Sequence, residues 1–234
     1  MTGELWVCDL PTIDYREALA LQERVRAARQ QERIPDTLLL LEHPPVYTRG
    51  RRSDARELPM GEAWYREQGI DIVDTDRGGR LTYHGPGQLV GYPIVRIDDV
   101  IAYLRTMESA IVAALAGAGI AGHARPDEGP DFTGVWTADQ RKIASIGVHV
   151  ARGVTTHGFA VNVSNDLAPF GWVVACGLDG VRMTSIAEEL RPAGREAPAL
   201  DEFRAGMAAR FAESFGLTPT QVSLDRVDAA AAAA

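Results

Sequence analysis

The chain has 234 residues, 46% of them apolar and 24% charged, with a formal net charge of −8 and a pI of about 5.2. This length suits one α/β domain or two small ones with a substantial core, and the acidic balance argues against a nucleic-acid partner, which goes with a basic domain or stripe. No uninterrupted apolar run approaches the roughly 18 residues of a membrane span and the first residues lack the layout of a signal peptide, so a cytoplasmic protein without a membrane partner is expected.

In chain order, Glu4–Leu10 reads as a first strand. Asp14 can cap a helix running to about Arg33, with Ala18, Leu21, Val25 and Ala28 at helical spacing and Pro35 as its stop. Thr37–Leu41 is a short strand-type run, followed by a Pro/Arg-rich loop, Glu42–Arg56. Ala63–Gln68 reads as a short helix, Ile70–Thr75 as a strand, Arg77–Gln88 as a Gly-rich loop and Leu89–Arg96 as a strand. Ile101, Leu104, Ile111 and Leu115 mark a helix opening near Asp98 or Asp99 and ending at Gly117 or Gly119. Gly134–Asp139, Lys142–Val150 and Thr155–Val163 read as three consecutive strands joined by tight turns. A last helix carries Leu200, Phe203, Met207, Phe211 and Phe215, and a short strand near Val222–Leu224 closes the chain. Helices alternating with strands around a central meander predict an α/β (α+β) mixed sheet flanked by helices. Residues 1–228 are expected to form one domain, with Ala229–Ala234 as a low-complexity tail.

Four stretches stand out chemically. Arg77 to Gln88 has five Gly or Pro among twelve positions, interleaved with Arg77, Arg80, Thr82, Tyr83 and His84. Glycines let backbone approach a ligand closely, and the polar side chains supply donors. The stretch matches neither the phosphate-binding loop nor the dinucleotide fingerprint. The second stretch, Arg141 to His149, holds Lys142, the only lysine beside twenty-three arginines. Lysine can give up its proton and arginine effectively cannot, so a lone lysine suggests base chemistry. On a regular strand Lys142, Ala144, Ile146 and Val148 share one face, where desolvation favours the neutral amine. The ordinary alternative is an edge lysine reaching to water. The third stretch, Thr156 to Val163, contains His157, which by itself reads as a satisfied core or edge histidine. The fourth is Ala175–Gly180, where Cys176 sits between small residues in a loop and fits a buried structural role poorly. Cys8, in an apolar strand, fits that role well. The two cysteines are too far apart in sequence to form a metal or redox pair.

At these stretches the chain resembles the lipoyl(octanoyl) transferases, most of all actinobacterial members, mycobacterial ones included. The shared features are Glu42–Thr48, Arg77–Gln88, Lys142–Gly147, Thr156–Ala160 and Cys176–Leu178, in the family's order from about Leu5 to Phe215. The resemblance implies the catalytic fold of biotin and lipoate protein ligases. It implies transfer of an octanoyl group from octanoyl-acyl carrier protein to one lysine of lipoyl domains, those of 2-oxoacid dehydrogenase complexes and the glycine cleavage H protein, with no cofactor and no metal. Cys176 falls on the family's acyl-thioester cysteine and Lys142 on its essential lysine. Substrate contacts fall on Arg77, Gly78, Gly79, Arg80, Leu81, Thr82, Tyr83 and His84, on Ser145, Ile146 and Gly147, and on Gly158, Phe159 and Ala160.

The chemistry is consistent with this. Thioester-to-amide transfer needs no ATP, and a covalent step splits a three-body problem into two visits. A thiol of ordinary acidity needs a nearby base or cation to become a nucleophile, and Lys142 suits both roles. Backbone N–H groups near Gly147 or Gly177 are candidates for an oxyanion hole. Two alternatives are an ATP-dependent lipoate or biotin ligase of the same fold, which activity without ATP discriminates, and a non-catalytic binder of lipoyl domains, which would show no turnover. Arg49, Arg51, Arg52 and Arg56, clustered in an acidic protein, are either solvated surface or a docking patch for the acidic carrier protein.

Overall fold

A computed structural model describes residues 3–174 and 181–232. The chain opens with β1 (Gly3–Thr12), which pairs in parallel with β2 (Asp36–Glu42). Between them runs α1 (Tyr15–Gln30), whose first turn is capped by the Asp14 carboxylate accepting from the N–H groups of Arg16 and Glu17. The helix stops before Pro35. Glu32 takes a left-handed conformation (φ 59°) and Arg33 N–H donates to Ala28 C=O, a closed C-terminal turn that needs no proline.

The Pro/Arg-rich stretch is not all loop. It contains β3 (Val46–Arg49), which pairs with β4 (Asp71–Asp74) in parallel and with β5 (Thr82–His84) antiparallel. β5 likewise lies inside the stretch expected to be a Gly-rich loop. Both are three to four residues long and hemmed by Pro, Gly and Arg, so they carry too little alternation to register as strands. Their sheet, in the order β4-β3-β5, is covered by the short α2 (Glu62–Glu67) and packs Tyr47, Tyr65, Leu81, Tyr83 and Phe170 into a core of its own.

The main sheet has the order β12-β1-β2-β6-β10-β9-β8-β7. Its members beyond β1 and β2 are β6 (Gln88–Ile94), β7 (Gly122–His123), β8 (Gly134–Thr137), β9 (Arg141–Ala151), β10 (Val154–Asn162) and β12 (Leu217–Gln221), with β11 (Arg182–Met183) pairing to β9. The meander β8-β9-β10 is as the sequence indicates. The last strand lies five residues earlier than expected, across Pro219. Proline is tolerated there because β12 is an edge strand bonded only to β1.

One face of the sheet is covered by α3 (Val100–Gly117), α4 (Ile186–Leu190) and α5 (Leu200–Ser214), which bury Met107, Ile111, Leu115, Phe203, Met207 and Phe211. By length and composition α3 is apolar enough to cross a membrane. It is instead a core helix, packed on α5, and its Glu108 is buried and paired with Arg105. The other face carries α1 and α6 (Leu224–Ala232) over Leu39, Leu41, Val90 and Tyr92. Helix α6 takes in Ala229–Ala232, and Ala230 and Ala231 pack on this second core.

Candidate active site

A cleft opens between the main sheet and the small one. Its floor is set by register. Ser145 on β9 lies beside Ala160 on β10, which lies beside Val90 on β6. On the neighbouring rung Gly147 pairs with Gly158, and Tyr92 follows Val90 on the same face. The facing wall is made by Arg77, Gly79, Arg80, Leu81, Thr82 and His84. Arg52 and Asp131, joined by an ion pair of 2.9 Å, border the cleft and are partly exposed.

The Gly-rich wall lies directly on β9. Gly78 N–H donates to Val148 C=O at 2.8 Å, and a Cβ on Gly147 would stand 2.9 Å from Gly78 C=O. Gly147 is therefore needed for the two backbones to approach, whereas a Cβ on Gly78 would meet Val148 C=O less closely, at 3.3 Å. Gly79 has φ +87°, a conformation that β-carbons disfavour. Arg77 is buried and its guanidinium donates to the Thr48 carbonyl and hydroxyl.

Lys142 reaches the cleft by an irregularity in the sheet. Between β8 and β9 the register shifts by one residue: Val135 pairs with Ala144 but Trp136 pairs with Lys142. The extra residue is Ile143, and consecutive Ile143 and Ala144 both enter the core under α3. The bulge corrects the expectation that Lys142 shares a face with Ala144 and Val148. Lys142 instead joins Ser145 and Gly147 on the cleft side. It is 2% exposed, and its Nζ lies 5.2 Å from the Trp136 ring centroid.

The inner end of the cleft is aromatic. Tyr15 stacks on His84 at 5.7 Å. His43 donates through Nδ1 to Ile13 C=O, so its Nε2 accepts from the Tyr92 hydroxyl at 2.6 Å. Burial holds His43 neutral, its pKa pushed down to about 4, and burial likewise drives His84 well below the usual histidine range. His157 is left-handed (φ 56°) within β10. Its N–H leaves the sheet ladder and donates to the Gln22 side-chain oxygen of α1 at 2.6 Å. The His157 ring contacts Asp76 at 2.7 Å, which holds the Asp76 carboxyl down to about 2.

Of the fourteen expected substrate-contact residues, twelve line this cleft: Arg77, Gly79, Arg80, Leu81, Thr82, His84, Ser145, Ile146, Gly147, Gly158, Phe159 and Ala160. Gly78 lies behind the wall on Val148. Tyr83 points the other way, 5.5 Å from Tyr47 and 5.4 Å from Phe170, because alternation on β5 sends Thr82 and His84 to the cleft and Tyr83 to the small core. Cys176 and Gly177 lie outside the described residues. Sequence reasoning missed Tyr15, Val90, Tyr92 and His157 as cleft residues. Tyr15, Val90 and Tyr92 carry no local motif, and only the pairing of β6 with β10 and the seating of α1 bring them together; His157 lies within a noted stretch but reads there as a core or edge histidine.

The cleft between two sheets belongs to a known class. Residues 14–212 match the lipoyl protein ligase A/B catalytic domain. The fold superposes on lipoate-protein ligase A bound with ATP (TM-score 0.76, 19% identity, 99% of this chain and 93% of that one). A bi-partite lipoate protein ligase from Thermoplasma acidophilum gives 0.71 at 17% identity, covering 99% and 91%. These identities speak for the fold alone. Within the class the chain is similar to octanoyltransferases: 45% identical to that of Mycobacterium tuberculosis over 87% of this chain and 84% of the relative, and 45% to that of Geobacter sulfurreducens over 88% and 83%. The chain belongs to the octanoyltransferase family and is an acyltransferase.

Proposed function

We propose that the chain moves an octanoyl group from octanoyl-acyl carrier protein to a lysine of lipoyl domains by way of a thioester on Cys176, in the cytoplasm, where a free thiol stays reduced. Lys142 takes the Cys176 proton. The thiolate attacks the donor thioester, the carrier's thiolate leaves, and Lys142 returns the proton to it. A neutral amine of the lipoyl-domain lysine then attacks the acyl-enzyme. Lys142 accepts one proton from that nitrogen and passes it to the departing Cys176 sulfur, which restores the starting state.

The observation that carries this reading is the turn of the only lysine into the cleft, beside Ser145 and Gly147. The residues on either side of the Cys176 segment support it. Val174 N–H is bonded to Glu57 C=O, Met183 pairs with Lys142, and Thr184 N–H donates to Lys142 C=O at 3.0 Å. The deciding experiment is mass spectrometry after incubation with octanoyl-acyl carrier protein alone. One octanoyl mass is expected, mapped to the peptide containing Cys176 and absent from that containing Cys8, with no ATP present. Transfer at an appreciable rate by Cys176→Ala would mean direct attack by the target lysine.

A further inference from the structure

We infer that β6 is the ruler for acyl chain length, with Val90 and Tyr92 as the specificity-determining residues. The inference rests on the reading that the reacting carbonyl sits at the Lys142 end of the cleft.

The cleft runs across the strands, and the side chains grow along the way. On the cleft face Ser145 and Gly147 of β9 are small, as are Ala160 and Gly158 of β10, while Ile146 and Phe159 between them turn their side chains to the core on the opposite face; Val90 and Tyr92 on β6 are the bulky pair that follows. Leu41 and Leu39, their partners on β2, do not reach the cleft. The floor is thus a groove of small side chains ending in a wall. From β9 to β6 is two strand spacings, about 9.6 Å. An extended eight-carbon chain spans about 9 Å, from C–C bonds of about 1.5 Å in zigzag. An octanoyl group with its carbonyl beside β9 therefore brings its terminal methyl to β6, and two further carbons would drive into Val90 and Tyr92.

The wall is stiff. Val90 is 1% and Tyr92 3% exposed. The Tyr92 hydroxyl is tied to buried His43, and Tyr15 closes over it, stacked on His84. Because the Tyr92 hydroxyl bonds His43 and the Tyr15 hydroxyl bonds His157, a hydrocarbon end can lie against the rings without stripping either of its partner.

The experiment measures kcat/KM for hexanoyl-, octanoyl- and decanoyl-pantetheine thioesters. Val90→Ala should raise the decanoyl-to-octanoyl ratio about tenfold, the scale of one or two methylenes in an apolar pocket. Ala160→Val, one strand nearer the carbonyl, should lower octanoyl relative to hexanoyl by a similar factor. Leu41→Val, on the same rung behind the wall, should leave both ratios unchanged. Val90→Ile serves if Val90→Ala does not fold, with hexanoyl gaining on octanoyl. Proportional losses for all three donors in the Val90 and Ala160 variants would overturn the ruler. The underlying chemistry is separable: ratios that move while Lys142→Arg stays active sink the Lys142 role and keep the ruler, and the reverse pattern sinks the ruler alone.

Discussion

Lys142 owes its place to one extra residue, Ile143, in β9. Its stem is closely packed, since a Cβ on Gly134 would stand 2.9 Å from Lys142 Cε and 2.3 Å from Ala144 C=O. Lys142→Arg keeps the charge but not the ability to take a proton, so transfer should fall by about a hundredfold or more. Near wild-type turnover in that variant would reduce Lys142 to an electrostatic or structural group. Gly134→Ala should also lose transfer, by displacing the lysine. Cys8 offers the contrast. It is fully buried in β1, and burial together with Asp9 pushes its thiol up to about 11. Native protein at pH 8 should leave Cys8 unalkylated by iodoacetamide. Cys8→Ala should transfer normally while losing about 1 kcal/mol of stability from the small cavity, measured by urea unfolding.

The Gly-rich wall acts as an element although only Thr82–His84 within it is regular structure. It is laced to the loop after β3 by Arg51 N–H to Arg77 C=O and Arg52 N–H to Gly79 C=O, both 3.0 Å. Gly79→Val would force a β-branched residue to φ +87°. The expected result is a folded protein with a raised KM for the acyl donor. Loss of the cooperative unfolding transition would make the wall structural, and unchanged kinetics would leave it neither structural nor functional. The same lacing sorts the four arginines read as either solvated surface or a docking patch. Arg49 is tied to Asp74 and Glu62, Arg56 to Asp54 and Arg52 to Asp131. Among the described residues Arg51 alone of the four enters no ion pair. If a carrier-docking charge exists in this loop, Arg51→Glu should slow use of octanoyl-acyl carrier protein and flatten its salt dependence, with octanoyl-pantetheine unaffected. Equal losses with both donors would remove the docking role.

At the scale of the molecule, three buried histidines meet around the cleft: His43, His84 and His157. Burial lowers all three below the ordinary value near 6.5, His43 to about 4. As pH falls below 6.5 the unfolded chain takes up protons at these positions and the folded chain does not, so stability is full above that pH and declines on acidification. For His43 the decline ends near pH 4, where the folded state also binds its proton. Each histidine contributes a slope of up to about 1.4 kcal/mol per pH unit. Thermal melts between pH 7.5 and 5 should show a falling midpoint, and His43→Gln should flatten the fall. A midpoint constant over that range would show that these histidines are not held neutral.

Local structure and chemical character are legible in the order of residues alone. Asp14 as a cap, a helix opening at Asp98 or Asp99 and the β8-β9-β10 meander are set by neighbours within a few positions, Lys142 stands out as the only lysine of the chain, and the order of motifs identified the family. Tertiary structure decided everything that depends on pairing. Whether Tyr83 serves the cleft or the small core follows from which face of β5 meets which sheet. Lys142 changes face because of a bulge that no periodicity announces. Val90, Tyr92 and Tyr15 become cleft residues only when β6 lies beside β10 and α1 crosses above them. A strand's alternation says which residues share a face, but only its partners determine what that face looks upon.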